Sequence, residues 1–130
     1  MAAEKVQEVT ITTPNEMGTM GKVFGLIAGA DVNVQSFVAY VMSNQGIFKL
    51  ITSENAKVAN VMEQAGYSVE ITDVVAVRCA DAIGTGADLG TKLGNAGVNV
   101  DYTYATGAGG GEAIVVFSVD DAAKAIDALV

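Results

Sequence analysis

Asp31-Val32-Asn33-Val34 and Gly97-Val98-Asn99-Val100 are two copies of one short pattern, set 66 residues apart. Working outward at that offset, Val9 and Ile11 fall on Val75 and Val77, and Gly18 falls on Gly84. The same offset pairs Phe48 and Leu50 with Ile114 and Val116, and Thr52 with Ser118. A period this long marks duplicated small domains rather than a solenoid. The chain of 130 residues therefore reads as two repeats, 1–72 and 73–130.

Each repeat shows the same order of elements. Val9 and Ile11 alternate with Thr10 and Thr12 as in a half-buried strand, and Met20, Val23, Phe24 and Ile27 keep the spacing of one helix face. Residues 33–42 form a β-branched and aromatic second strand, Ser43 to Gly46 a hairpin turn, and residues 47–52 a third strand. Ser53 is placed to cap a helix faced by Val58, Val61, Met62 and Ala65, which Gly66 ends before a fourth strand at 67–72. The second repeat runs through strand 74–79, a thinner helix face of Leu89, Leu93 and Ala96, strands 99–106 and 113–119, and a helix capped by Asp120. Its hairpin loop is Gly107-Ala108-Gly109-Gly110-Gly111. The expected fold class is α+β: two tandem ferredoxin-like βαββαβ repeats, with antiparallel sheets and helices on one face.

The second repeat has no residues to match 64–72, so its final strand is expected to be missing and the edge of strand 74–79 to be open. On the third strands, Phe48 and Leu50 face one side while Ile47 and Ile51 face the other. Apolar residues on both faces predict a further sheet or subunit, hence a homo-oligomer, dimeric or larger.

Composition narrows the function. A net charge of −8 from 15 acidic and 7 basic residues lacks the clustered cations that phosphate backbones require, so no nucleic acid is expected. No apolar run reaches membrane-span length and nothing near Met1 reads as an export signal, so the expected location is the cytoplasm, with no membrane partner. The chain holds no His and one cysteine, Cys79, which shares the inward phase of Val75 and Val77 and reads as a buried structural thiol. Without His the commonest base near neutral pH is missing, and the only Arg, Arg78, lies within a strand. Neither an enzyme, a metal site nor a cofactor is expected.

Asn15-Glu16-Met17-Gly18 at the first strand-to-helix turn, followed by an amphipathic helix and Val32-Asn33-Val34, resembles the ACT domain family. There the turn usually reads Asp/Asn-x-Pro-Gly and the later segment Gly-Ile/Val-Asn-Val/Ile. Asp81-Ala82-Ile83-Gly84 and Gly97-Val98-Asn99-Val100 stand at the matching places of the second repeat. The resemblance implies a regulatory module, sensing a free amino acid held between paired ACT units and acting on a regulated enzyme. It places ligand contacts at Asn15, Glu16, Met17, Gly18, Asn33 and Val34, and at Asp81, Ala82, Ile83, Gly84, Asn99 and Val100.

The physical chemistry of the turn agrees in part. Amides of a first helical turn lack internal partners and sit at the positive end of the dipole, which suits a carboxylate. Side-chain oxygens of Asn15, Asn33, Asp81 or Asn99 could accept from an ammonium group. Met17 and Ile83 replace the family's usual Pro, and Thr13 stands where some serine-binding members have His, so serine is not assigned. Plain alternatives stay open: Asn15 and Asp81 as helix caps, Asn33 and Asn99 as turn residues, and the glycines at 84, 86 and 90 as sites of loose helix or close packing. A different class of function is a pure assembly module that recruits a partner protein and binds no ligand.

Overall fold

The computed structural model describes residues 2–107 and 110–130, so Ala108 and Gly109 of the expected hairpin loop lie outside the described residues. The chain divides into two compact units, one of Gln7–Thr72 and one of Met1–Val6 with Asp73–Val130. In order, the elements are β1 (Ala2–Pro14), α1 (Thr19–Gly29), β2 (Val34–Met42), β3 (Gln45–Thr52), α2 (Asn55–Gln64), β4 (Ser68–Ala80), α3 (Thr85–Asn95), β5 (Val100–Gly107), β6 (Glu112–Val119) and α4 (Ala122–Leu129).

The two middle strands are longer than their sequence patterns predicted. Residues 67–72 and 74–79, expected as separate strands, form the single strand β4, because no Gly or Pro interrupts the β-branched alternation across Thr72-Asp73. In the unit of residues 7–72 the strand order is β2-β3-β1-β4, with β3 antiparallel to β1 and β2. The other unit repeats it as β5-β6-β4-β1, the place beside β4 being taken by residues 2–6 of β1. Ala3 packs against the core that holds Val75 and Val77, and Lys5 lies 3.9 Å from the Asp73 carboxylate. The edge of β4 expected to be open is thus covered by the start of the same chain.

Register corrects the repeat alignment. Val9 and Ile11 face Leu50 and Phe48, whereas Val75 and Val77 face Phe117 and Val115. Phe37 pairs with Leu50 and Thr103 with Phe117, so the β5–β6 hairpin holds one residue more than the β2–β3 hairpin. The equivalents of Phe48, Leu50 and Thr52 are Val115, Phe117 and Val119, not Ile114, Val116 and Ser118. Because side chains alternate faces, a slip of one residue exchanges the helix-facing set for the opposite one. The first hairpin is closed tightly by Ser43 and Asn44, at φ 53° and 58°, the left-handed pair that a two-residue turn requires.

In each unit both helices pack on one face of the sheet. Val23 and Ile27 of α1 and Val58 and Met62 of α2 meet Val9, Ile11 and Leu50. Leu89 and Leu93 of α3 and Ala125 and Leu129 of α4 meet Val75, Val77 and Phe117. Ile47, Ile51 and Val116 on the other strand face are also buried, at 9%, 8% and 1% exposure within the single chain.

The expected caps are displaced by one residue. Glu54 and Asp121 occupy the N-cap positions of α2 and α4, and only Asp121 caps with its side chain, accepting from the Lys124 amide at 3.0 Å. Ser53 and Asp120 instead bond the residues that lead into β2 and β5. The Asn33 amide donates to Ser53 Oγ at 3.3 Å, and the Asn99 amide donates to Asp120 Oδ1 at 3.0 Å.

Candidate functional site

Both strand-to-helix turns are built alike. Gly18 and Gly84 are the N-caps of α1 and α3, with φ of 84° and 86°, a left-handed conformation that favours glycine. Their carbonyls accept the first helical bonds, from the Lys22 amide at 3.1 Å and the Asp88 amide at 2.9 Å. Thr19 donates its hydroxyl to the Glu16 carbonyl at 2.8 Å, and Thr85 donates its own to the Ala80 carbonyl at 2.9 Å. Among the described residues nothing accepts from the amides of Met20 and Gly21, or of Gly86 and Ala87. These are the donors that a first helical turn leaves over.

Capping does not account for the turn side chains, since neither helix has a side-chain cap. Asn15 Nδ2 donates to Asn44 Oδ1 at 3.4 Å, and the Asp81 amide donates to the Gly111 carbonyl at 3.0 Å. Gly84→Val is expected to destabilise by about 1–3 kcal/mol, because a β-branched residue is forced into the left-handed region. Gly84→Asn should cost clearly less, and urea denaturation of both variants checks the difference.

A hollow opens beside each turn. The first, of about 230 Å³, is lined by Asn15, Glu16, Thr19 and Met20, with Tyr40 and Phe48 from the sheet. The second, of about 590 Å³, is lined by Asp81, Ala82 and Thr85 at the turn, Gly86, Leu89 and Gly90 along α3, and residues of β5 and β6 that include Val100. Of the expected contacts, Asn15, Glu16, Asp81, Ala82 and Val100 reach these hollows. Met17 and Ile83 are fully exposed, and Gly18 and Gly84 shape the turns without lining the spaces.

Asn33 and Asn99 stand elsewhere. Their main chains bond Ser53 and Asp120, and Asn99 Nδ2 donates to Asp101 Oδ1 at 3.4 Å. Val34 packs against the first core and is not part of the hollow. Cys79 is buried, as its phase predicted, with Sγ 3.7 Å from the Ala113 carbonyl, but it also lines the second hollow.

The difference in size has an identifiable cause. In the first unit the Phe24 ring packs edge-on against Phe37, centroids 4.8 Å apart, and lies 6.2 Å from Phe48. The corrected register puts Gly90, Thr103 and Val115 in those three places of the second unit, and all three line its hollow. A Cβ built on Gly86 or Gly90 meets nothing within 4 Å among the described residues, so close packing against them does not explain these glycines. Sequence reasoning missed this hollow; setting Phe24 beside Gly90 would have shown it.

A family model described as an ACT domain pair matches residues 4–130. The chain belongs to the ACT domain pair family. Among solved structures, this ACT pair is similar to protein BT0572 from Bacteroides thetaiotaomicron, with TM-score 0.89, 26% identity and coverage of 98% of this chain and 88% of that one. It is also similar to the ligand-free regulatory subunit of aspartate kinase from Thermus thermophilus, with TM-score 0.74, 14% identity and coverage of 99% and 95%. The corresponding subunit from Thermus flavus gives TM-score 0.67, 16% identity and the same coverage of 99% and 95%. Likeness to the two Thermus proteins at such identity concerns the fold. No curated protein matches the chain. Among the described residues of the ACT pair, no group of three or more His, Cys, Asp or Glu could hold a metal ion. No described helix is long and apolar enough to cross a membrane.

Proposed function

We propose that this ACT pair is a non-enzymatic regulatory module that binds a free amino acid at its strand-to-helix turns. The observation that carries the reading is the second turn. There, Gly86, whose amide and that of Ala87 have no acceptor among the described residues, lines a hollow of about 590 Å³, within the range of roughly 300–1,000 Å³ common for small-molecule sites. A ligand carboxylate suits those amides, and the Asp81 carboxylate at the same rim suits its ammonium group. Likeness to regulatory subunits of aspartate kinase supports a role in setting the state of an enzyme. Regulation then follows if the ligand binds one state of the assembly more tightly than the other.

Isothermal titration of the full chain with each of the twenty amino acids tests the reading. Saturable heat with at least one is expected; none with any of them removes the ligand-binding role.

A second reading, an assembly module, draws on one strand. Phe37, Tyr40, Val41 and Met42 are exposed along β2, which ends the strand order of its unit. An apolar edge strand offers unpaired backbone groups to another chain. Light scattering that gives a dimeric or larger mass, together with silent titrations, would favour this role.

A further inference from the structure

The first unit serves as an internal reference for the second. Where the first unit has the ring of Phe24 packed against Phe37 and near Phe48, the second has Gly90, Thr103 and Val115 around open apolar space. Leu89 and Phe117, both buried, lie at the base of that space. Protein interiors are normally packed to crystal density, and a space lined by apolar groups is favourably filled by an apolar guest. Glycine within a helix is unfavourable relative to alanine, and no described residue lies within 4 Å of a Cβ built on Gly86 or Gly90. The helix thus forgoes stability at two positions that open onto one hollow.

We propose that the second unit selects an amino acid carrying a bulky apolar side chain, an aromatic ring above all. The side chain lies over Gly90 between Thr103 and Val115, in the place that Phe24 fills in the first unit. The first unit, occupied by its own ring, takes no such ligand. This rests on the amino-acid-binding reading and adds to it which repeat binds and what side chain it accepts. The charged groups of the ligand lie at the rim formed by Asp81, Thr85 and the amide of Gly86, while its side chain points along α3.

The test titrates the full chain with L-phenylalanine, L-leucine, L-serine, L-aspartate and benzyl alcohol, beside the variants Gly90→Phe and Thr103→Phe. Both variants place a ring in the hollow, one from the helix and one from the strand, so one informative protein remains if the other fails to fold. Phenylalanine and leucine are expected to bind at least tenfold more tightly than serine or aspartate. Phenylalanine affinity should fall at least tenfold in each folded variant, and Gly90→Phe should melt no lower than the parent.

Binding of serine or aspartate without phenylalanine would overturn the selection rule and leave amino-acid binding standing. Undiminished phenylalanine binding in the folded variants would overturn the placement. Benzyl alcohol bound in a Gly90→Phe-sensitive way, with no amino acid bound, would uphold the ring pocket and overturn the proposed function.

Discussion

Removal of residues 2–6 is expected to strip hydrogen-exchange protection from those amides of 74–79 that do not bond β6 and to lower stability by about 2–4 kcal/mol. These residues stand in the fourth strand position of the second unit, beside β4. A strand of that length contributes on the order of three ladder bonds, each worth about 1 kcal/mol net, and an exposed sheet edge is left behind. Ala3 also leaves the core shared with Val75 and Val77. Amides of β3, which pairs with Val9 through Pro14, provide the reference within the same sample. Lys5→Ala is the contrasting variant, because it removes only an exposed ion pair with Asp73, and surface pairs contribute about 0–1 kcal/mol. Unchanged protection at 74–79 after the deletion would refute the assignment of residues 2–6 to that edge.

Two leucines of similar burial should respond differently to truncation. Leu50 is fully buried among Val9, Ile11 and Phe48 and lines neither hollow. Leu89, at 1% exposure, borders the second one. Leucine-to-alanine changes in cores cost about 2–5 kcal/mol, the spread depending on how much empty volume remains. Leu50→Ala creates a closed void and is expected at about 3–4 kcal/mol. Leu89→Ala enlarges a space already open to solvent, with fewer contacts to lose, and is expected near about 2 kcal/mol. Urea denaturation of both variants, compared at equal m-value, reads the difference, and equal losses would contradict it.

Much of the fold was legible because periodicity and punctuation agree locally. Val9 and Ile11, the α1 face of Val23 and Ile27, and the turn glycines Gly18 and Gly84 each announce their own structure. The register of β6 was not legible. Its run Ile114-Val115-Val116-Phe117 is apolar at every position, so alternation cannot say which residues face the helices. One additional residue in the neighbouring hairpin moved the choice to Val115 and Phe117. The partner of the β4 edge was also hidden, since nothing local to residues 2–6 says which half of the chain they join.

For the site, the turns carried enough signal to place Asn15, Glu16, Asp81 and Ala82 beside hollows. Asn33 and Asn99 carried a pattern whose main-chain bonds to Ser53 and Asp120 are long-range and leave no trace in nearby residues. The space over Gly90 is a property of three side chains on three elements, and only comparison of the two repeats exposes it.

The exchange at β1 also orders events in time. Residues 2–6 leave the ribosome before every strand of the unit they complete, and β6 follows more than a hundred residues later. The first-made half can close while its leading segment waits, solvated, for a sheet not yet synthesised. Docking residues 2–6 beside β4 closes a loop of about half the chain, and formation of the second unit is expected to be the slow step in refolding.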